Sequence, residues 1–390
     1  MPSKNISISV KTLSHDCQQV PLSTVVDNPP KGNLFLIDLN SGIQIPCQRE
    51  TTDTEKTKIT WIEPGIEKNS IKEYKLLASN TKSEFSQVLV KKSKEKIDVS
   101  IGESYLTSYY FGGSIHRPYF HPVIGPFGKS VTRAFPMEQV EGETDDHQHH
   151  RGIFSGNGAV NGVNNWTEGE NCGYTDHKKF SKIESGSVFG HIVHHSNWTD
   201  PSKTKIVLEE TREMKFFNIG SSRILDIDLY LHATKEDVFF EDDKEIGMIS
   251  LRVATSMDIM SPEGVANSGR MENSAGGINE DEIWGKQAHW CDYSGVVDGK
   301  MVGVTLFDYD ENYNHPVRWH ARNYGLLTSN PFSTHCFNPE LPKTGYNLKK
   351  GNSLIFKHRV YIHAGTTEEA KVVEKYQNYI NPPLITINNK

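Results

Sequence analysis

The chain has 390 residues, 36% of them hydrophobic and 23% charged, with a formal net charge of −7 when histidine is neutral. That balance suits a globular protein with a sizeable core and excludes a disordered chain. It also excludes a basic nucleic-acid-binding face: the nearest Lys-rich run, VKKSKEK at 90–96, reads as a solvated strand edge or linker. No apolar stretch approaches the roughly 20 residues that span a bilayer, the best being NLFLIDL and SLIFKHRVYI. The opening MPSKNISISV lacks the apolar segment of a secretory leader. The expected location is therefore cytoplasmic as the sequence stands, and periplasmic if a leader was trimmed. Cys17, Cys47, Cys172, Cys291 and Cys336 are scattered, odd in number and without a CxxC pair. They exclude a disulfide framework and a cysteine zinc site, and favour a reducing compartment.

In chain order, residues 1 to about 92 are expected to form a small β module or the first strands of a larger sandwich. Within them TWIEPGIEKNSIKEYKLL (60–77) predicts two strands joined by a Pro-Gly turn and a polar loop. From 93 onward period-2 patterns dominate, as in KIDVSI, SVFGHIVHH, KIVLEE, MVGVTLFDY and FKHRVYIHA. In RILDIDLYLHA, Leu225, Ile227, Leu229 and Leu231 share one face and Asp226, Asp228, Tyr230 and His232 the other, which predicts a half-buried strand. One helix is expected near the end, with Thr367 capping EEAKVVEKYQNYI, Ala370, Val373 and Tyr376 on one side, and NPP as the stop. Many short strands and little helical periodicity predict an all-β protein, a large antiparallel sandwich over 93–390.

Titratable and aromatic residues gather in two regions rich in Gly, Asn and Pro, the composition of loops held on a rigid scaffold. The first runs from GGSIHRPYFHPV through TRAFP and DDHQHHRGIF to GNGAVNGVNNWTEGE; the second runs from EIWGKQAHWCDYSG to NHPVRWHARNYGLLTSNPF. On a strand, His147 and His149 point one way and His150 the other. That H-x-H spacing offers half of a zinc or iron site, with His121, Glu168 or His320 as the third ligand. Arg117 and Tyr119 share a face, as do His320 and Arg322, while Trp319 takes the face opposite His320. Arginine forks suit carboxylates, and His and Tyr serve as base and acid. Trp166, Trp284, Trp290 and Trp319 are candidates to stack on sugar rings or to pack a core. P-loop, dinucleotide-binding, G-x-S-x-G and HExxH patterns are all missing from the sequence.

The stretches RPYFHPVIGPFG, TRAFP, DDHQHHRGIF and NGVNNW, followed by WGKQAHWCDYSG and HPVRWHARNYGLLTSNPF, resemble the PmoA-like family of bacterial proteins over roughly residues 100–365. The family's tag of methane oxygenase does not suit this chain, because a membrane-bound oxygenase subunit crosses the bilayer on apolar helices. The resemblance implies a β-sandwich of the kind found in sugar mutarotases and several polysaccharide lyases. It also implies a place in bacterial polysaccharide utilisation. One activity linked to the family is dehydration of ulvan oligosaccharides: water leaves a terminal uronic acid, and a 4,5-unsaturated end remains for a glycoside hydrolase. Arg117, Tyr119, His147, His149, His150, Arg151, Trp166, His320 and Arg322 fall on the matching motif positions. VEGETDDHQHH carries more acids ahead of its histidines than the pattern leads one to expect.

Such a dehydration needs a base for the C5 proton, a cation against the neighbouring carboxylate, and an acid for the departing C4 hydroxyl. The expected proton-transfer set is His147, His149, His150, Tyr119 and His320. The expected substrate-binding set is Arg117, Arg151, Arg322, Trp166, Glu168 and Trp319. No cofactor is required; a divalent metal on His147 and His149 is the one option. The expected partner is an oligosaccharide, with no nucleic acid and no membrane. The same residues would serve a mutarotase-like sugar epimerase or a non-catalytic carbohydrate-binding protein, and both alternatives stay open.

Overall fold

A computed structural model describes residues 6–51, 56–81, 85–261 and 264–389. Nearly all of the described elements are antiparallel strands. Two eight-stranded sheets face each other. The first runs in the order Arg318–Arg322, Leu326–Asn330, Ile246–Arg252, Ile153–Asn157, Tyr119–Val123, Ser104–Tyr110, Lys96–Ile101, Val88–Lys92. The second runs Tyr174–Glu184, Phe189–Thr199, Ile206–Phe217, Arg223–His232, Ser353–Ala364, Lys300–Asp308, Trp290–Val297, Arg270–Asn273. This is the large antiparallel sandwich that the alternating patterns predict.

The core lies between these sheets. Phe120, Val123, Ile153, Leu251 and Leu327 of the first sheet join Leu225, Ile227, Leu229, Val304 and Val360 of the second in one apolar cluster. In Arg223–His232 the leucine and isoleucine face is buried and Asp226, Asp228, Tyr230 and His232 stay partly exposed, as the period-2 pattern requires. Each such buried side chain contributes on the order of 1.5–3 kcal/mol of transfer free energy.

A third, seven-stranded sheet lies outside the sandwich, and it differs from the expected 1–92 module at both ends. Val88–Lys92 belongs to the sandwich, while Leu384–Asn389, from the far end of the chain, pairs with Ile6–Lys11. A boundary drawn from composition misses this, because strand pairing is not local. Inside this sheet the Thr60–Leu77 expectation holds: Lys56–Glu63 and Ile71–Ser79 are strands.

The C-terminal helix also starts later than expected, at Val372 rather than after Thr367. Lys371 takes a left-handed conformation (φ 53°) that the helix cannot continue through, and the Thr367 hydroxyl donates to Glu272 instead of capping. Val372 and Tyr376 face inward, and Val373 points to solvent. All five cysteines are free. Among the described residues no helix is long and apolar enough to cross a membrane.

Candidate active site

The histidines lie on the outer face of the first sheet, under the loops between its strands. Tyr119 and Phe154 of that sheet, with Leu326 after them, pack against Trp166 from a loop, and Tyr110 and Tyr324 close the layer. Gly152 fixes where the histidine loop meets the sheet: its φ is +52°, and a Cβ there would lie 2.0 Å from the Phe120 carbonyl oxygen. Only glycine fits so close an approach, which accounts for the Gly that follows HHR.

The histidine segment is a loop, not a strand, which corrects the shared-face reading of His147 and His149. His147 has φ 45°, and its ring stacks on His150 at 4.9 Å and on Tyr324 at 4.8 Å. Buried arginines impose this path. Arg133 donates to the carbonyls of Asp146 (2.8 Å) and His147 (3.2 Å), and Arg117 donates to the carbonyl of His149 at 2.6 Å. Arg252, on the central strand Ile246–Arg252, reaches the Asp146 carboxylate at 2.8 and 3.1 Å, and Arg133 reaches it at 2.5 Å. Asp146 in turn accepts from Nδ1 of His147. The carboxylate, the two arginines and the imidazole form one network. Burial opposes the charge on Asp146, but the bonds to His147 and Arg252 and the charge of Arg133 hold it well below the usual carboxylate range.

His320 is brought to the same place from Arg318–Arg322. Its Nδ1 donates to the Lys244 carbonyl (3.0 Å), and its ring stacks on Trp166 at 6.4 Å. With Nδ1 as donor, Nε2 carries the lone pair. Burial, assisted by the positive charge of Arg322, lowers the His320 pKa to about 3. Burial and Arg117 lower that of His149 to about 4. Burial, with the charges of His149 and Arg252, pushes His150 well below its ordinary value. Burial thus keeps these three imidazoles neutral and makes them weak bases, suited to accept hydrogen bonds.

The expected binding residues divide. Arg117 is 2% exposed and committed to backbone carbonyls and, at 3.6 Å, to Glu168, so it shapes the loop rather than meeting a ligand. Arg151 makes two bonds to Glu168, at 2.7 and 2.8 Å, and covers the Tyr119 ring at 5.5 Å. Glu168 is thereby paired and unavailable as a third metal ligand. Tyr119 is buried under that guanidinium, and burial raises its pKa, so it is a poor acid for a substrate. Trp166 is 1% exposed and forms the floor under His149 and His150 instead of a sugar platform. Trp319 is fully buried in the main core, with its indole N–H on the Ala288 carbonyl, and takes no part in the site. Arg322 keeps exposure: its side chain is 34% accessible and it pairs with Glu280 at 3.3 Å, while its Nε is buried without a partner.

The metal option on His147 and His149 gains no third ligand. Among the described residues the one set of three ligand atoms close enough to share an ion is Glu50, His191 and Glu213, on a different face of the molecule. There the Lys215 ammonium already bridges Glu50 (2.9 Å) and Glu213 (3.3 Å). His121 is buried and lies 3.5 Å from Glu138. A cleft of about 970 Å³ opens between the outer sheet and the turn at 184–187; it shares no residue with the histidine cluster.

Arg133, Arg252, Tyr324 and Glu280 belong to the site and were not singled out from the sequence. Arg252 had a readable signal: one arginine in the apolar run GMISLRVA, where a charge is costly unless paired. Counting the network's ion pairs, five guanidiniums (Arg117, Arg133, Arg151, Arg252, Arg322) share three carboxylates (Asp146, Glu168, Glu280). Of these, Arg151 and Arg322 keep side-chain exposure, and positive charge there suits an anionic ligand.

A family model of unknown function matches residues 96–377, which takes in both sandwich sheets except the edge strand Val88–Lys92. The chain belongs to the DUF6807 family. No curated protein matches this DUF6807 chain. Among solved structures it is similar to a glycosyl hydrolase family 38 protein from Enterococcus faecalis, at 11% identity and a TM-score of 0.43 over all of this chain. The DUF6807 chain spans about half, 48%, of that protein's length. It is also similar to a galactose mutarotase related enzyme from Lactobacillus acidophilus, at 8% identity and a TM-score of 0.33, covering 72% of this chain and 98% of that one. The DUF6807 architecture described above rests on its own strand order.

Proposed function

We propose that this protein is a carbon–oxygen lyase that removes water from the terminal uronic acid of an ulvan-type oligosaccharide, leaving a 4,5-unsaturated end. The observation that carries the reading is exposed guanidinium charge beside neutral imidazoles. A proton α to an ionised carboxylate is a very weak acid, so neutralising that carboxylate is the largest demand of the reaction. Arg322, the most exposed guanidinium of the network, is the group placed to meet it. His147 takes the C5 proton: its Nδ1 is bonded to Asp146, which leaves Nε2 as the basic nitrogen and holds the ring in one tautomer. His320 offers a second lone pair on Nε2 to a ring hydroxyl. The resemblance to the PmoA-like proteins of polysaccharide utilisation supports the choice of uronic acid.

The test is incubation with saturated uronyl-ended oligosaccharides. The expected result is ultraviolet absorbance of a conjugated C=C bond and a product lighter by one water. Anomeric exchange without a chromophore would instead identify a sugar epimerase. Binding without any product would identify a carbohydrate-binding protein.

A further inference from the structure

The reaction proposed above requires a proton donor; the Tyr324 phenol lies beside His147, but burial raises its pKa and its ring is held under the Arg252 and Arg322 guanidiniums. His149 and His320 are held neutral by burial, Asp146, Glu168 and Glu280 are ion-paired, and Tyr119 is covered by Arg151. Asp258 also carries a carboxyl without a hydrogen-bond partner, but it is fully buried. We propose that Glu245, which immediately precedes the strand Ile246–Arg252, is the general acid that protonates the hydroxyl leaving C4; the proposal rests on the dehydratase reading.

The strand sets the direction of this side chain. Gly247 faces the floor of the site, since a Cβ there would lie 3.1 Å from the Trp166 ring. Side chains two apart on a strand share a face, so Glu245 is on the Trp166 side. The turn before it is fixed at several points. The Asp243 carbonyl accepts from Asn330 (2.8 Å) and Ser333 (2.6 Å), and the Asp243 carboxylate accepts the Glu245 N–H at 2.9 Å. The Glu245 carbonyl accepts from Gly158 N–H at 2.6 Å. The neighbouring Lys244 carbonyl is the one that orients His320. Acid and imidazole therefore hang from one rigid turn, the preorganisation that proton transfer needs. The Glu245 carboxyl is partly buried, has no hydrogen bond or ion pair among the described residues, and lies within electrostatic reach of His147. Burial, with the adjacent Asp243 charge, raises its pKa and favours the protonated form.

The step balances. His147 removes the C5 proton, the C4–O bond breaks as the C4=C5 bond forms, and the Glu245 proton passes to the departing oxygen, which leaves as water. Glu245 ends as a carboxylate and His147 as an imidazolium, and solvent exchange restores both.

Glu245→Gln keeps the shape and removes the acid. The expected result is a kcat lower by about 10²–10³, a KM within a few-fold of wild type, and loss of the alkaline limb of the kcat–pH profile. On a 4-fluoro uronyl substrate, whose fluoride leaves without a proton, the variant should come within about tenfold of wild type. Glu245→Asp should recover part of the rate on the hydroxyl substrate. Thermal melting and substrate titration verify that the variants fold and bind. An active wild type with Glu245→Gln at full rate and with an unchanged pH profile overturns the assignment alone. A wild type that releases no water from any uronyl oligosaccharide overturns the assignment and the reaction together.

Discussion

Asp146 accepts the Nδ1 proton of His147 while two fully buried guanidiniums, Arg133 and Arg252, grip its carboxylate. The neighbours in sequence thus differ in kind: one is an anchored counter-charge, the other a ring 40% exposed to solvent. Replacing the acid by its amide tests both roles. Asp146→Asn leaves two buried positive charges without a partner, which costs about 3–5 kcal/mol. It should lower the urea midpoint and cut kcat by at least tenfold. Unchanged unfolding curves would remove Asp146 from the network.

Arg322 is the most exposed arginine of the site. Arg322→Gln should raise KM for a uronyl substrate by about tenfold to a hundredfold, the loss of a charge-assisted hydrogen bond worth about 1.5–3 kcal/mol. Stability should shift by less than about 1 kcal/mol. The same variant should leave the affinity for an uncharged oligosaccharide unaltered, as measured by calorimetry.

Trp319 provides the opposite control. It lies in the core with its N–H bonded to Ala288, so Trp319→Phe should lower stability while KM stays constant in the folded fraction. Full truncation to alanine costs about 3–5 kcal/mol. A selective rise in KM with normal melting would return this residue to sugar binding.

The second sheet carries a pH-dependent liability. Asp228 lies beside Asp226 and Glu213 on a cavity of about 180 Å³ shared with the outer sheet, and burial with those charges raises its pKa to about 7. The folded state thus binds its proton more tightly than the unfolded chain, whose carboxylate titrates near about 4. That contribution is complete below pH ~4 and lost as pH rises through about 7. Asp228→Asn should match wild type at pH ~4 and exceed it at pH ~8 by on the order of 1–2 kcal/mol, after allowance for residual solvation. Denaturant melts at the two pH values read this directly.

What the sequence revealed was local. Alternation placed the buried face of Arg223–His232 correctly, and it put Trp319 opposite His320, where the core proves to be. Residue types and motif positions singled out His147, His149, His150, His320 and Arg322, which lie near one another in the fold. The path of the histidine loop was hidden, because Arg252, which pins Asp146, lies 106 residues away along the chain. The late helix start had the same origin: Thr367 serves Glu272, 95 residues earlier, in place of its own helix. Periodicity reports what a segment prefers by itself, and both of these segments are held by partners it does not contain.

The pairing of Leu384–Asn389 with Ile6–Lys11 sets a timetable for biosynthesis. At a ribosome adding roughly 5–20 residues per second, the first strand waits on the order of 20 s to a minute for this partner. During that interval the outer sheet has an open edge at Ile6–Lys11, with unpaired N–H and C=O groups beside Ile8 and Val10. Once Leu384–Asn389 pairs, it covers Ile6–Lys11 and becomes the edge of the sheet in its place.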